Sequence, residues 1–82
     1  MKVRKANIIH NGEEIRNVYI YENKKEEYIL VAVPQLEWSK TIKYEEINDK
    51  TREHLQNSIA KRSNENIAIS LSSKITQWIQ EM

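Results

Sequence analysis

The sequence predicts an α+β domain, an antiparallel three- to four-stranded β-meander followed by two α-helices packed on one face. Three observations carry this. Up to about residue 44, the apolar residues alternate with period two or form short β-branched runs. Asn11-Gly12 sits between two such segments, and both residues tolerate the positive φ of a two-residue hairpin turn. From Glu45 onward the apolar spacing lengthens to three and four residues, the signature of a helix. The chain of 82 residues forms one domain over residues 1–82. With 39% hydrophobic and 30% charged residues it is too apolar and too evenly mixed for a disordered tail.

Strands are expected at about 2–9, 15–22, 27–33 and 38–44, and helices at about 49–62 and 65–80. With Asn11 and Gly12 as the loop, His10 pairs with Glu13, Ile8 with Ile15, Ala6 with Asn17, Arg4 with Tyr19 and Val3 with Ile20. A loop at 23–26 then pairs Tyr21 with Tyr28, Ile20 with Ile29 and Val18 with Val31, at the expense of Glu22 opposite Glu27. Pro34 has no N–H for a ladder and ends the third strand. Leu36, Trp38, Ile42 and Tyr44 alternate with polar residues as a fourth, partly exposed strand, broken only by Lys40. Something must pair with Tyr28–Val33, which is uncharged and β-prone and would aggregate as an open edge; the fourth strand is the first candidate and another subunit the next.

Ile47, Thr51, Leu55 and Ile59 form the stripe of the first helix, with Asn48 as its cap, Asp49 in its first turn and Lys61 and Arg62 near its end. The break Ser63-Asn64-Glu65-Asn66 leads to a second stripe of Ile67, Ala68, Leu71, Ile75, Trp78, Ile79 and Met82. Ile69 lies off that stripe, and a strand at Ile67–Leu71 followed by a shorter helix is the alternative.

The chain resembles the YueH-like family of small Firmicute proteins. The resemblance rests on Asn17-Val18-Tyr19-Ile20-Tyr21-Glu22-Asn23-Lys24-Lys25-Glu26-Glu27, on Val31-Ala32-Val33-Pro34 and on Glu37-Trp38-Ser39. Lys2-Val3-Arg4-Lys5-Ala6-Asn7 and Thr76-Gln77-Trp78-Ile79 extend it over nearly the whole chain. It implies a low-GC Gram-positive bacterium or its phage and a cytoplasmic setting, and it carries no catalytic residues over.

Composition narrows the chemistry. With no cysteine there is no disulfide, thiolate nucleophile, Fe–S cluster or Cys-rich zinc site. His10 and His54 lack a second histidine at helical ligand spacing, and no serine lies in a nucleophile-elbow motif. The adjacent pairs Glu13-Glu14, Glu26-Glu27 and Glu45-Glu46 point apart on any regular element. One glycine cannot build a phosphate-cradling loop. No catalytic, cofactor-binding or metal site is therefore expected. No apolar run reaches the length of a membrane span and no signal-peptide core follows the basic N-terminus, so the expected setting is cytoplasmic.

The hairpin registers divide the sheet into two faces. An aliphatic face of Val3, Ile9, Val18, Ile20, Ile29, Val31 and Val33 is the expected core. The other face gathers Ala6, Ile8, Ile15, Tyr19, Tyr21, Tyr28, Leu30 and Ala32, with Lys2 and Arg4 at its margin. Two helices on one side cover one face, so the tyrosine face stays open. The expected function is a non-catalytic protein-interaction or regulatory module, in its simplest form a homodimer, contacting through Ile8, Ile15, Tyr19, Tyr21, Tyr28 and Leu30. The alternative is single-stranded RNA or DNA binding, with Tyr19, Tyr21 and Tyr28 stacking bases while Lys2, Arg4 and Lys24 or Lys25 touch phosphates. A formal charge of +1 weighs against nucleic acid. A third reading leaves the tyrosines as the wet side of a sheet without a partner.

Overall fold

The computed structural model describes every residue of the chain except Asn11, and every side chain of these except those of His10 and Glu13. The expected Asn11-Gly12 turn thus lies partly outside the described residues, and Gly12 has the expected positive φ of 80°. Four strands, β1 (Lys2–His10), β2 (Glu13–Asn23), β3 (Tyr28–Val33) and β4 (Trp38–Lys43), form one antiparallel sheet in sequential order. Two helices follow, α1 (Thr51–Ala60) and α2 (Glu65–Gln80). The fold is α+β. One core joins Val18, Ile20, Ile29, Val31, Val33, Trp38 and Ile42 of the sheet to Leu55, Ile59, Leu71 and Ile75 of the helices. The helices pack on each other, and α2 also packs against β1, so the last element meets the first.

The β1–β2 ladder departs from the regular register. Ile8 pairs with Ile15 as expected, but Lys5 pairs with Asn17, Arg4 with Val18, Val3 with Tyr19 and Lys2 with Ile20. Ala6 and Asn7 together therefore oppose Arg16, a β-bulge with Asn7 left-handed at φ 54°. Asparagine accepts this conformation at little cost. A one-residue shift exchanges the faces of a strand. Val3 and Ile9, expected in the core, are instead 51% and 74% exposed. Ala6 and Ile8, expected on the tyrosine face, are buried, as is Ile15. The reason lies in β2. Ile15 and Val18 are three residues apart and cannot share a face of a regular strand. Both are buried, and the ladder shift falls between them.

The β2–β3 register differs by two residues from the expected one. Tyr21 opposes Leu30, Glu22 opposes Ile29 and Ile20 opposes Val31. An even slip leaves every side chain on its face. It also separates Glu22 from Glu27, removing the like-charge pair. The connection is closed by the Glu26 N–H donating to Asn23 Oδ1 at 2.9 Å and by Glu27 at φ 58°.

Pro34–Leu36 forms a 3₁₀ turn that ends on Glu37 at φ 50° and tucks Leu36 into the core. In β4, Trp38 is buried and its indole N–H donates to Ser58 Oγ of α1 at 2.9 Å. A second 3₁₀ turn, Tyr44–Glu46, follows β4. α1 is shorter than the expected 49–62. Asn48 does not cap it. Its Oδ1 accepts from the Lys50 N–H at 2.8 Å, an Asx turn before the helix, while Thr51 Oγ1 accepts from the Asn48 N–H at 2.9 Å. Helical geometry is thereby delayed to Thr51. The chain over 67–71 is helical, not a strand. Asn64 caps α2, its Oδ1 accepting from the Ile67 N–H at 2.9 Å. Ile67, Ala68, Leu71, Ser72, Ile75 and Ile79 face inward, and Ile69 is exposed.

Two stability measurements check this packing. Val31 is fully buried at the centre of the sheet, and Val31→Ala should lower thermal stability by about 1–3 kcal/mol. Asn64→Ala should cost about 0.5–2 kcal/mol and Asn48→Ala less, because only the former removes a helix cap. Equal melting curves for the two asparagine variants would place the cap energetics elsewhere.

Candidate functional site

The side of the sheet away from the helices presents three successive cross-strand rows. The first is Val3–Tyr19–Ala32–Ser39, the second Tyr21–Leu30–Thr41 and the third Asn23–Tyr28–Lys43. Tyr21 and Tyr28 are diagonal neighbours, with ring centroids 6.2 Å apart and planes at 62°, an edge-to-face contact. Val3 and Tyr21 count among the exposed large apolar side chains, and Tyr19, Tyr28, Leu30 and Ala32 are half-buried. The centre of the face is apolar and aromatic. Asn17, Asn23, Ser39 and Thr41 border it, with Lys5 and Lys43 at diagonal corners. No carboxylate occupies a position of this face in the segments 17–23, 28–32 or 39–43.

Of the residues expected to form a contact surface, Tyr19, Tyr21, Tyr28 and Leu30 share this face. Ile8 and Ile15 do not, since both are buried in the core for the reason given by the bulge. Lys2 and Arg4, expected at its margin, pair with Ile20 and Val18 on the helix side. Arg4 Nε is buried there without a hydrogen-bond partner. Lys24 and Lys25 lie in the exposed β2–β3 connection. Sequence reasoning missed Val3, Lys5 and Lys43 on this face. The available signal was the odd spacing of Ile15 and Val18, which calls for a bulge and turns odd-numbered β1 residues outward.

Other polar groups are occupied differently. The Tyr44 hydroxyl donates to the Glu22 carboxylate. That hydrogen bond, with some desolvation and the negative charges of Glu22 and Glu27, pushes the Tyr44 pKa up to about 12. His54 is exposed on α1 and borders a small cavity of about 100 Å³ with Lys40, Glu46 and Thr51. The side chain of His10 lies outside the described residues. Among the described residues, no three His, Cys, Asp or Glu side chains gather as a metal site. No helix among them is long and apolar enough to cross a membrane.

These features define a small α+β module in which helices clad one side of a meander and the other side is left aromatic. The chain belongs to the YueH-like protein family, whose profile matches residues 2–81. It is 48% identical over 82 residues, covering 100% of both chains, to a Bacillus subtilis (strain 168) protein described as "Uncharacterized protein YueH". No solved structure matches.

The Tyr44–Glu22 bond has a measurable pH signature. A phenol whose folded pKa is raised from 10.0 to about 12 contributes stability that is intact below pH 10 and is lost as pH rises toward 12. Tyr44→Phe should therefore show a shallower loss of stability between pH 10 and 12 than the parent. Parallel curves in alkaline melting experiments would show that the bond does not bias the phenol.

Proposed function

We propose that this protein is a non-catalytic interaction module that associates through its open tyrosine face, in its simplest form with a second copy of itself. The observation that carries the reading is the sidedness of the sheet. Tyr19, Tyr21, Tyr28, Leu30 and Val3 lie together where no helix covers them. An apolar, aromatic centre with a polar and lysine-bearing rim is the composition of protein–protein contacts. Tyrosine offers a large rigid area with a polar tip, so it tolerates both the wet and the bound state. A formal charge of +1 sets up little repulsion between copies. A twofold dimer uses one patch twice and needs no second surface. The setting in this reading is the cytoplasm, in keeping with a cysteine-free composition. Nucleic-acid binding is the weaker reading, because Lys2 and Arg4 pair on the helix side and the net charge is small.

The test is sedimentation equilibrium with circular dichroism on the parent and on a Tyr21→Ala, Tyr28→Ala double variant. As part of a monomer's wet face the pair is worth roughly 0.2–1 kcal/mol. As interface anchors, truncated aromatics cost ~2 kcal/mol or more of association. The parent should sediment as a dimer, and the double variant as a folded monomer. A parent that stays monomeric at high concentration overturns self-association. Salt-sensitive binding of a mixed oligonucleotide by the parent would move the assignment to nucleic acid.

A further inference from the structure

The sheet contains a notch. β2 begins at Glu13, but its ladder with β3 covers Tyr19–Asn23 and Tyr28–Ala32, so among the described residues no strand lies beside the β3-side edge of β2 near Glu14–Arg16. Continuing that register would bring Gln35 opposite Arg16. The backbone does not continue, because Pro34 opens a 3₁₀ turn that leads the chain away. The Gln35 side chain takes the place of the missing strand. Its Nε2 donates to the Glu14 carbonyl at 2.7 Å, and its Oε1 accepts from the Arg16 N–H at 2.9 Å. A carboxamide has the donor and acceptor of a peptide group, so this edge is satisfied by a surrogate for one peptide unit. Beside it runs an open groove of about 550 Å³, walled by Gly12, Asn17, Tyr19 and Pro34 as well as by the edge itself.

We propose that the Glu14–Arg16 edge of β2 is an acceptor for an extended peptide segment of a protein partner, with the Gln35 side chain as a displaceable plug. Three observations select this occupant. The edge already holds a peptide-like amide through both of its hydrogen-bonding groups. The plug is an exposed side chain on a surface turn, so its withdrawal requires no backbone rearrangement. The groove gives room for side chains, with Tyr19 and Pro34 as an apolar wall and the exposed Glu14–Arg16 ion pair, at 3.4 Å, along its edge. Main-chain pairing at a sheet edge supplies affinity, and the groove supplies selection among side chains. The notch spans only a few residues between the end of β3 and the hairpin turn, which suits a short flexible segment. The groove shares Tyr19 with the open face but not Tyr21 or Tyr28, so the double variant of the preceding experiment leaves its walls intact and the two readings fail separately.

The experiment is an NMR titration of the full chain with an equimolar pool of capped hexapeptides, alternating threonine with varied apolar residues and followed at the Arg16 amide. The parent should show a saturable shift of that amide. Gln35→Ala should bind the pool about tenfold tighter or more, because the incoming backbone no longer displaces two existing hydrogen bonds. Gln35→Glu, whose carboxylate has no N–H for the Glu14 carbonyl, should fall between the two. The same peptides N-methylated at every backbone amide, which leaves neither edge a donor for the Glu14 carbonyl, should not bind. The proposal is overturned if the Arg16 amide is unmoved in both the parent and Gln35→Ala. It is equally overturned if the N-methylated pool binds as well as the unmodified one, or if Gln35→Ala binds no tighter than the parent. Circular dichroism of each variant confirms that the fold is retained.

Discussion

A row of branched aliphatics on the two central strands, Val18, Ile20, Ile29, Val31 and Val33, must be kept from water by helices that arrive only after the whole sheet has been written. A single layer of two helices can dry one side of a four-stranded sheet. The side facing Leu55, Ile59, Leu71 and Ile75 therefore becomes the interior, and everything placed on the opposite positions is left to find its own accommodation with solvent or with another molecule. The tyrosines, the corner lysines and the uncharged polar rim all follow from that division. So does the fate of Glu22, which lies on the interior side by alternation and is held at its border by the Tyr44 hydroxyl.

Much of this was legible in the residues. Period-two and period-three-to-four spacing located all six elements, and the α2 boundaries agree with the structure at both ends. The tyrosine face survived an error in register, because alternation is unaffected by an even slip: Tyr21 moved from opposite Tyr28 to opposite Leu30 without changing sides. Odd slips are not forgiven. The bulge at Ala6 and Asn7 shows in the apolar pattern only through the odd spacing of Ile15 and Val18 on the facing strand, and it exchanged the roles of Val3 and Ile9 with those of Ala6 and Ile8. Side chains that satisfy backbone groups, as Asn48 and Gln35 do, are also hidden from periodicity. Their partners are fixed by where the chain turns, which hydrophobic pattern does not encode.

The edges of the sheet are handled by different means. β3, the most apolar strand, is enclosed between β2 and β4. β1 is an outer strand, and its lysines and its bulge make it a poor template for further pairing. The short stretch of β2 without a strand beside it is closed by one glutamine side chain. Loop conformation is handled with similar thrift. The lone glycine serves the first turn, while the left-handed positions 7, 27 and 37 are filled by asparagine and two glutamates.

The contact between α2 and β1 has a bearing on how the chain matures. Each strand pairs with its neighbour in sequence, so the meander can zip up from local encounters, the kind of topology that folds quickly. The seal over Ala6 and Ile8 is different, because α2, the helix that packs on β1, follows all four strands and α1. During synthesis, β1 must wait with its apolar side uncovered until α2 has left the ribosome. The interior is thus completed in a late step that brings α2 onto β1, and a chain interrupted before Glu65 is left with α1 as its only cover over the sheet.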